Sequence, residues 1–174
     1  MNGEQDKKES EKIEVIISED KTESNPVAEN TKNTLEDINE DDLESKEEFF
    51  KSYEKLILKP IKHIDDMLKQ FANNHINYDD ISHFTEIMKT NGEVSEKNGF
   101  EIISSMHRIM YKALMLIKSR ELIPGKDVIE SMRACLIVIV AVVRGKEVDI
   151  TNYLNKAEDF EKEIQTSNSK ELNL

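Results

Sequence analysis

The spacing of apolar residues changes close to residue 47. From there on, apolar positions recur at three- and four-residue steps, as they do on one face of an α-helix. The first such stripe is formed by Phe50, Tyr53, Ile57, Ile61, Ile64, Leu68 and Phe71. The pattern predicts three regions, which are a tail over residues 1–46, a helical domain over 47–165 and a frayed C-terminus over 166–174.

The stripes also predict where the first helices end. Pro60 lies inside the first stripe and removes a backbone hydrogen bond, so we expect a kink, or two helices that meet near Lys59. After a break at Asn73-Asn74, a short helix is expected to begin at Asp79 or Asp80 and to end at Asn91-Gly92. A long helix over about 95–120 follows, and it carries two apolar stripes.

The last two helices are predicted on either side of residue 145. The segment Leu136 to Val143 is rich in β-branched residues and could, taken alone, form a buried strand. We favour a helix because the four-residue period already runs through Val128 and Met132. With a final helix over about 149–165, the sequence predicts an all-α fold. The expected architecture is a small antiparallel bundle of four to five helices with a disordered acidic N-terminal tail.

Charge divides the chain at the same place as the apolar pattern. The net charge is −12, and residues 1–50 hold 17 acidic and 6 basic residues. The remaining 124 residues are therefore almost neutral. All ten aromatic residues lie from Phe49 onward, so the first segment lacks the side chains that build a core. This division argues against one uniform domain with an acidic surface.

Cysteine content and the longest apolar run limit the cellular setting. The single cysteine, Cys135, cannot form an internal disulfide, which favours a reducing compartment. The N-terminus has no apolar signal segment. The longest apolar run, Ala134 to Val143, is about half of the ~20 residues that span a bilayer. We therefore expect an intracellular protein, cytoplasmic or nuclear, with no membrane span.

One aliphatic cluster stands out in the tail. It consists of Ile13, Val15, Ile16 and Ile17, and it is followed by Ser18, Glu19 and Asp20. An extended segment of this kind can add a strand to the edge of a partner's sheet. The run resembles the linear motif that binds small ubiquitin-like modifiers, and the alternative is an incidental cluster in a solvated tail.

Few residues suggest catalysis. The five glycines are scattered and form no phosphate-binding loop, which argues against the common nucleotide enzymes. His75, Asp79 and His83 lie at four-residue steps and would share one face of a continuous helix, where they could bind zinc or another divalent metal. A metal-dependent helical hydrolase is therefore one alternative function. No cofactor is predicted.

A second alternative is a regulatory nucleic-acid binder. Basic residues of the long helix could form a patch that binds phosphate groups. The acidic tail would cover this patch and compete with phosphate for it. The residues concerned are Arg108, Lys112, Lys118 and Arg120.

The leading hypothesis is a non-enzymatic protein-interaction module, either an adaptor or a regulator. Methionine side chains are flexible and suit a groove that accepts varied partners, and Met106, Met110 and Met115 lie on the long helix. The apolar helices would dock a protein partner, or a second copy in a homodimer, and the acidic tail with Ile13–Ile17 would modulate that contact.

Overall fold

The computed structural model describes residues 40–169, with side chains described for residues 44–166. This part of the chain contains helices and no strand, so the predicted all-α bundle is confirmed. The helices are α1 (Glu40–Leu58), α2 (Ile61–Ala72), α3 (Tyr78–Lys97), α4 (Glu101–Lys118), α5 (Lys126–Val143) and α6 (Thr151–Ser169). Only Lys59 and Pro60 separate α1 from α2, so α1 and α2 form one kinked helix. With this pair counted once, the described residues contain five helical units. Nothing among the described helices is long and apolar enough to cross a bilayer.

Helix α5 lies at the centre of the bundle. Its residues from Ile129 to Ala141 are all buried, because α2, α4 and α6 pack around it and α1 reaches it as well. A helix that is enclosed in this way needs apolar side chains on every face. This explains the β-branched run from Leu136 to Val143, which is helical, as we preferred.

The first helix begins earlier than expected. Helix α1 starts at Glu40, inside the segment that we assigned to the tail. Acidic residues are favoured in the first turns of a helix, where the helix dipole is positive, so an acidic stretch does not mark a helix boundary. The remaining tail, residues 1–39, lies outside the described residues.

The predicted helix end at Asn91-Gly92 is wrong. Helix α3 continues through both residues and ends at Lys97, after which Gly99 adopts a left-handed conformation with φ of 76°. Gly92 instead permits close packing of α3 on α4, since a Cβ at this position would lie 3.3 Å from the Cβ of His107. Gly92 therefore allows two helices to pack closely and does not end a helix.

The bundle buries an ion pair beside α5. The Nε atom of Arg133 lies 3.2 Å from the Oδ1 atom of Asp65 on α2, and both side chains are almost fully buried. Lys69 Nζ approaches the second carboxylate oxygen of Asp65 at 3.0 Å. Because an isolated charge is costly in an apolar interior, Arg133 depends on Asp65 as its counter-ion.

Candidate binding cleft

The kinked helix and α3 enclose a cleft of about 490 Å³. The end of α1 and the start of α2 form one wall, and the middle of α3 forms the other. The lining residues are Leu56, Lys59, Pro60, His63, His83, Phe84, Glu86, Ile87, Thr90 and Asn91. This volume lies in the range of small-ligand and side-chain pockets, and apolar atoms dominate its lining. The cleft, named below the Pro60 cleft, arises where Pro60 interrupts the helix.

One buried polar group of the Pro60 cleft has no hydrogen-bond partner among the described residues. Asn91 is 2% exposed, and its side-chain Nδ2 atom is unpaired. Its backbone carbonyl accepts a hydrogen bond from the Ser95 hydroxyl at 2.7 Å. A buried amide donor without an acceptor costs about 1–3 kcal/mol, and because Nδ2 has almost no accessible surface, a ligand could pair with it only after the Asn91 side chain rotates into the cleft.

The hydroxyl of Tyr53 is connected to Asn91 through Ser95. It lies 2.8 Å from Ser95 Oγ. Because Ser95 already donates its only hydroxyl proton to Asn91, Tyr53 is the donor in this contact. Burial raises the pKa of the Tyr53 phenol above its usual value, although the Ser95 contact opposes this shift. The chain of bonds from Tyr53 to Asn91 holds α1 against α3.

An aromatic cluster lies on α1 and at the start of α4. It consists of exposed Phe49 and Phe50, buried Tyr53 and partly buried Phe100, and their neighbouring rings lie 4.5 to 6.1 Å apart. Phe50 is 53% exposed, and Leu56, one turn beyond Tyr53, is 45% exposed. Large apolar side chains on one continuous surface of a single chain are typical of interaction sites.

A row of lysines follows the other side of α1. Lys51, Lys55 and Lys59 are exposed and spaced by four residues, so they lie along one side of the helix. The nearby carboxylate of Glu54 lies 3.9 Å from Arg144 Nε, toward the end of α5. Lys59 places a positive charge at one wall of the Pro60 cleft, and Glu86 places a negative charge at the opposite wall.

The predicted methionine surface is largely internal. Met106 and Met110 belong to the core, where they are 2% and 0% exposed. A partner cannot reach these two side chains in this fold, so that part of the predicted docking surface is wrong. Met115 is exposed, but it lies on α4 and does not line the Pro60 cleft. The two apolar stripes of α4 are explained by contacts with α3 and α5.

The positive charge of the predicted basic patch is partly neutralised by an acidic side chain. Glu161 on α6 lies 3.0 Å from Lys112 Nζ and 3.7 Å from Arg108 Nε. The guanidinium of Arg120 lies over the ring of Tyr78, and Lys118 is exposed. An acidic side chain within the patch lowers its attraction for phosphate, which weakens the case for nucleic-acid binding.

The predicted metal ligands do not form a site. Helix α2 ends at Ala72 and α3 begins at Tyr78, so His75 lies in a loop and does not share a helix with Asp79 and His83. Asn77 caps α3, and its side chain accepts a hydrogen bond from the backbone of Asp79 at 3.0 Å. Within residues 40–169 no three potential ligands come together around a metal position. The proposed triad is wrong because the loop interrupts the four-residue spacing.

Cys135 lies on the buried helix α5 and is fully enclosed. Burial raises the pKa of its thiol to about 12.

Because thiolates are the reactive form, we expect Cys135 to react with a disulfide reagent only when the protein unfolds, and rapidly in denaturant. Absorbance of the released thiolate measures this rate. A Cys135→Ser, Ser52→Cys double variant has an exposed thiol and should react rapidly when folded. Fast labelling of native Cys135 would contradict the expectation.

Sequence reasoning missed the Pro60 cleft, although two signals point to it. Leu56 is apolar but lies beside the main stripe of α1, and Pro60 marks the bend. The predicted tail residues Ile13, Val15, Ile16 and Ile17 lie outside the described residues. The chain matches no protein-family model, no curated protein and no solved structure.

Proposed function

We propose that this chain is a non-enzymatic protein-interaction module that binds an extended apolar segment of a partner in the Pro60 cleft. The observation that carries the proposal is a largely apolar cleft on a helix that also exposes Phe49 and Phe50. His107 and Cys135 are both buried, whereas the titratable side chains His63, His83 and Glu86 line the cleft itself. The proposal rests on binding rather than on chemistry.

The unpaired amide of Asn91 favours an extended partner over a helical one. A helix satisfies its own backbone carbonyls, whereas an extended segment can offer one to Asn91 Nδ2 once that side chain rotates into the cleft. Aliphatic side chains of that segment would fill the space between Leu56 and Ile87. Acidic neighbours would face the lysine row that ends at Lys59. The expected ligand is thus a short aliphatic segment with acidic residues beside it.

Selection from a displayed library of random peptides tests this proposal with the full chain as bait. We expect enriched peptides to combine aliphatic and acidic residues. Leu56→Glu should weaken their binding by about tenfold or more, because it places a charge at the mouth of the cleft. Met115→Glu is the matched control, since Met115 is 42% exposed and lies elsewhere. Fluorescence anisotropy of a labelled peptide gives the dissociation constants.

The reverse result would overturn the proposal. If Met115→Glu removes binding while Leu56→Glu leaves it unchanged, the interaction surface lies on α4. Enrichment of peptides without apolar residues would equally contradict a cleft that binds aliphatic side chains.

A further inference from the structure

We infer that the chain carries its own ligand for the Pro60 cleft, namely the tail segment Ile13–Asp20, and that this segment competes with the partner. The inference rests on the proposed function, because it assigns an internal competitor to the same cleft. Three features support it, which are the chemistry of the segment, the charge of the cleft rim and the length of the connection.

The segment has the composition that the cleft favours. Ile13, Val15, Ile16 and Ile17 are aliphatic, and Glu14 lies among them. No other stretch of residues 1–39 concentrates four aliphatic side chains within five positions. A backbone carbonyl of the segment would pair with Nδ2 of Asn91 after this side chain rotates into the cleft.

Charge complementarity gives the segment an orientation. Glu19 and Asp20 follow the aliphatic residues, and they match Lys55 and Lys59 near the cleft, whereas exposed Glu47 lies one turn before Lys51 and offsets its charge. The opposite wall carries Glu86, which would repel them. The aliphatic residues therefore enter the cleft with the acidic end over the lysine row. High salt should weaken such a contact.

The length of the connection suits this docking. Along α1, the distance from Glu40 to Leu56 is about 24 Å at 1.5 Å per residue. Residues 18–39 connect the segment to α1, and a chain of this length can reach at most about 75 Å, which exceeds the distance to Leu56. A tethered ligand whose connection can span the distance to its site has an effective concentration that is commonly in the millimolar range. Even modest intrinsic affinity would then keep the cleft occupied.

Photo-cross-linking of the full chain tests the inference directly. We would place p-benzoylphenylalanine at Ile16, irradiate at low protein concentration and identify the joined peptides by mass spectrometry. The expected product migrates as a monomer and joins residue 16 to residues 56–63 or 83–91. The same amino acid at Val27 is the matched control for unspecific contact. Leu56→Glu should reduce the cross-link severalfold, whereas Met115→Glu should not.

The other outcomes overturn the inference. Cross-links that appear only in dimers would assign the cleft to the tail of a second copy. Cross-links elsewhere, or equal yields from positions 16 and 27, would show that the segment does not occupy the cleft.

Competition separates this inference from the proposed function. If both hold, Ile16→Glu in the full chain should tighten binding of a selected peptide by about fivefold or more, because it removes the tethered competitor. If peptides bind the cleft equally well with and without Ile16→Glu, the tail proposal fails and the proposed function stands. If the cross-link maps to the cleft but no peptide binds the Ile16→Glu variant, the proposed function fails instead.

Discussion

Replacing Asp65 by alanine is expected to lower the free energy of unfolding by about 3–5 kcal/mol. The substitution leaves Arg133 charged in a site where its side chain is 2% exposed. Loss of the carboxylate removes a charge-assisted contact of this buried guanidinium, and the cavity left by the carboxylate adds to the loss. Urea denaturation followed by far-ultraviolet circular dichroism measures the change, since the chain has no tryptophan for fluorescence.

The neighbouring aspartate provides a matched control. Asp66 contacts only the partly exposed Lys69 in the described side chains, at 3.4 Å, so Asp66→Ala should cost about 1 kcal/mol or less. An Asp65→Leu, Arg133→Met double variant removes both charges and should recover most of the stability lost in Asp65→Ala. Equal destabilisation by Asp65→Ala and Asp66→Ala would show that Arg133 does not depend on this counter-ion.

Acid is expected to destabilise the protein through His107. This side chain is fully buried on α4, and its Nδ1–H donates to the carbonyl of Ile103 at 2.8 Å. Burial lowers the pKa of His107 from 6.5 to about 4, although the hydrogen bond to Ile103 opposes the shift. Between these values the unfolded chain binds more protons than the folded one, so stability falls as the pH falls. The full effect is about 3 kcal/mol and is reached below pH 4.

A His107→Leu variant isolates this effect. Leucine fills the site with an apolar side chain and removes the titrating ring. The unfolding free energy of this variant should therefore fall less steeply between pH 6.5 and 4. His75→Gln, which changes an exposed histidine, should retain the slope of the original protein. Urea titrations at several pH values give the comparison. An unchanged slope in His107→Leu would mean that His107 has the same pKa in the folded and unfolded chains, which would contradict the expectation.

The helices could be predicted because their apolar stripes follow from local periodicity. The helical state of Leu136–Val143 was predicted for this reason, and the kink near Lys59 was predicted because Pro60 removes a backbone hydrogen bond. The end of α3 was misplaced because Asn91-Gly92 has the composition of a helix stop, while its role depends on the distance to His107 in another helix. Sequence spacing contains no information about that distance.

The cleft could not be predicted because it depends on how two helices meet. Leu56 and Ile87 are separated by 31 positions, and only the packing of α1 and α2 against α3 brings them to one cavity. Methionines gave a misleading signal for a similar reason. Met106 and Met110 have the chemistry of an adaptable surface, but the same flexibility fills a core, and burial decides between the two.

The central position of α5 has a consequence for synthesis on the ribosome. This helix is made before α6, which covers one of its faces in the finished bundle. Until α6 is complete, the nascent chain presents an apolar surface at the part of the sequence with the longest apolar run. Stalled or truncated chains that end between α5 and α6 should therefore be the forms of this protein most dependent on chaperones.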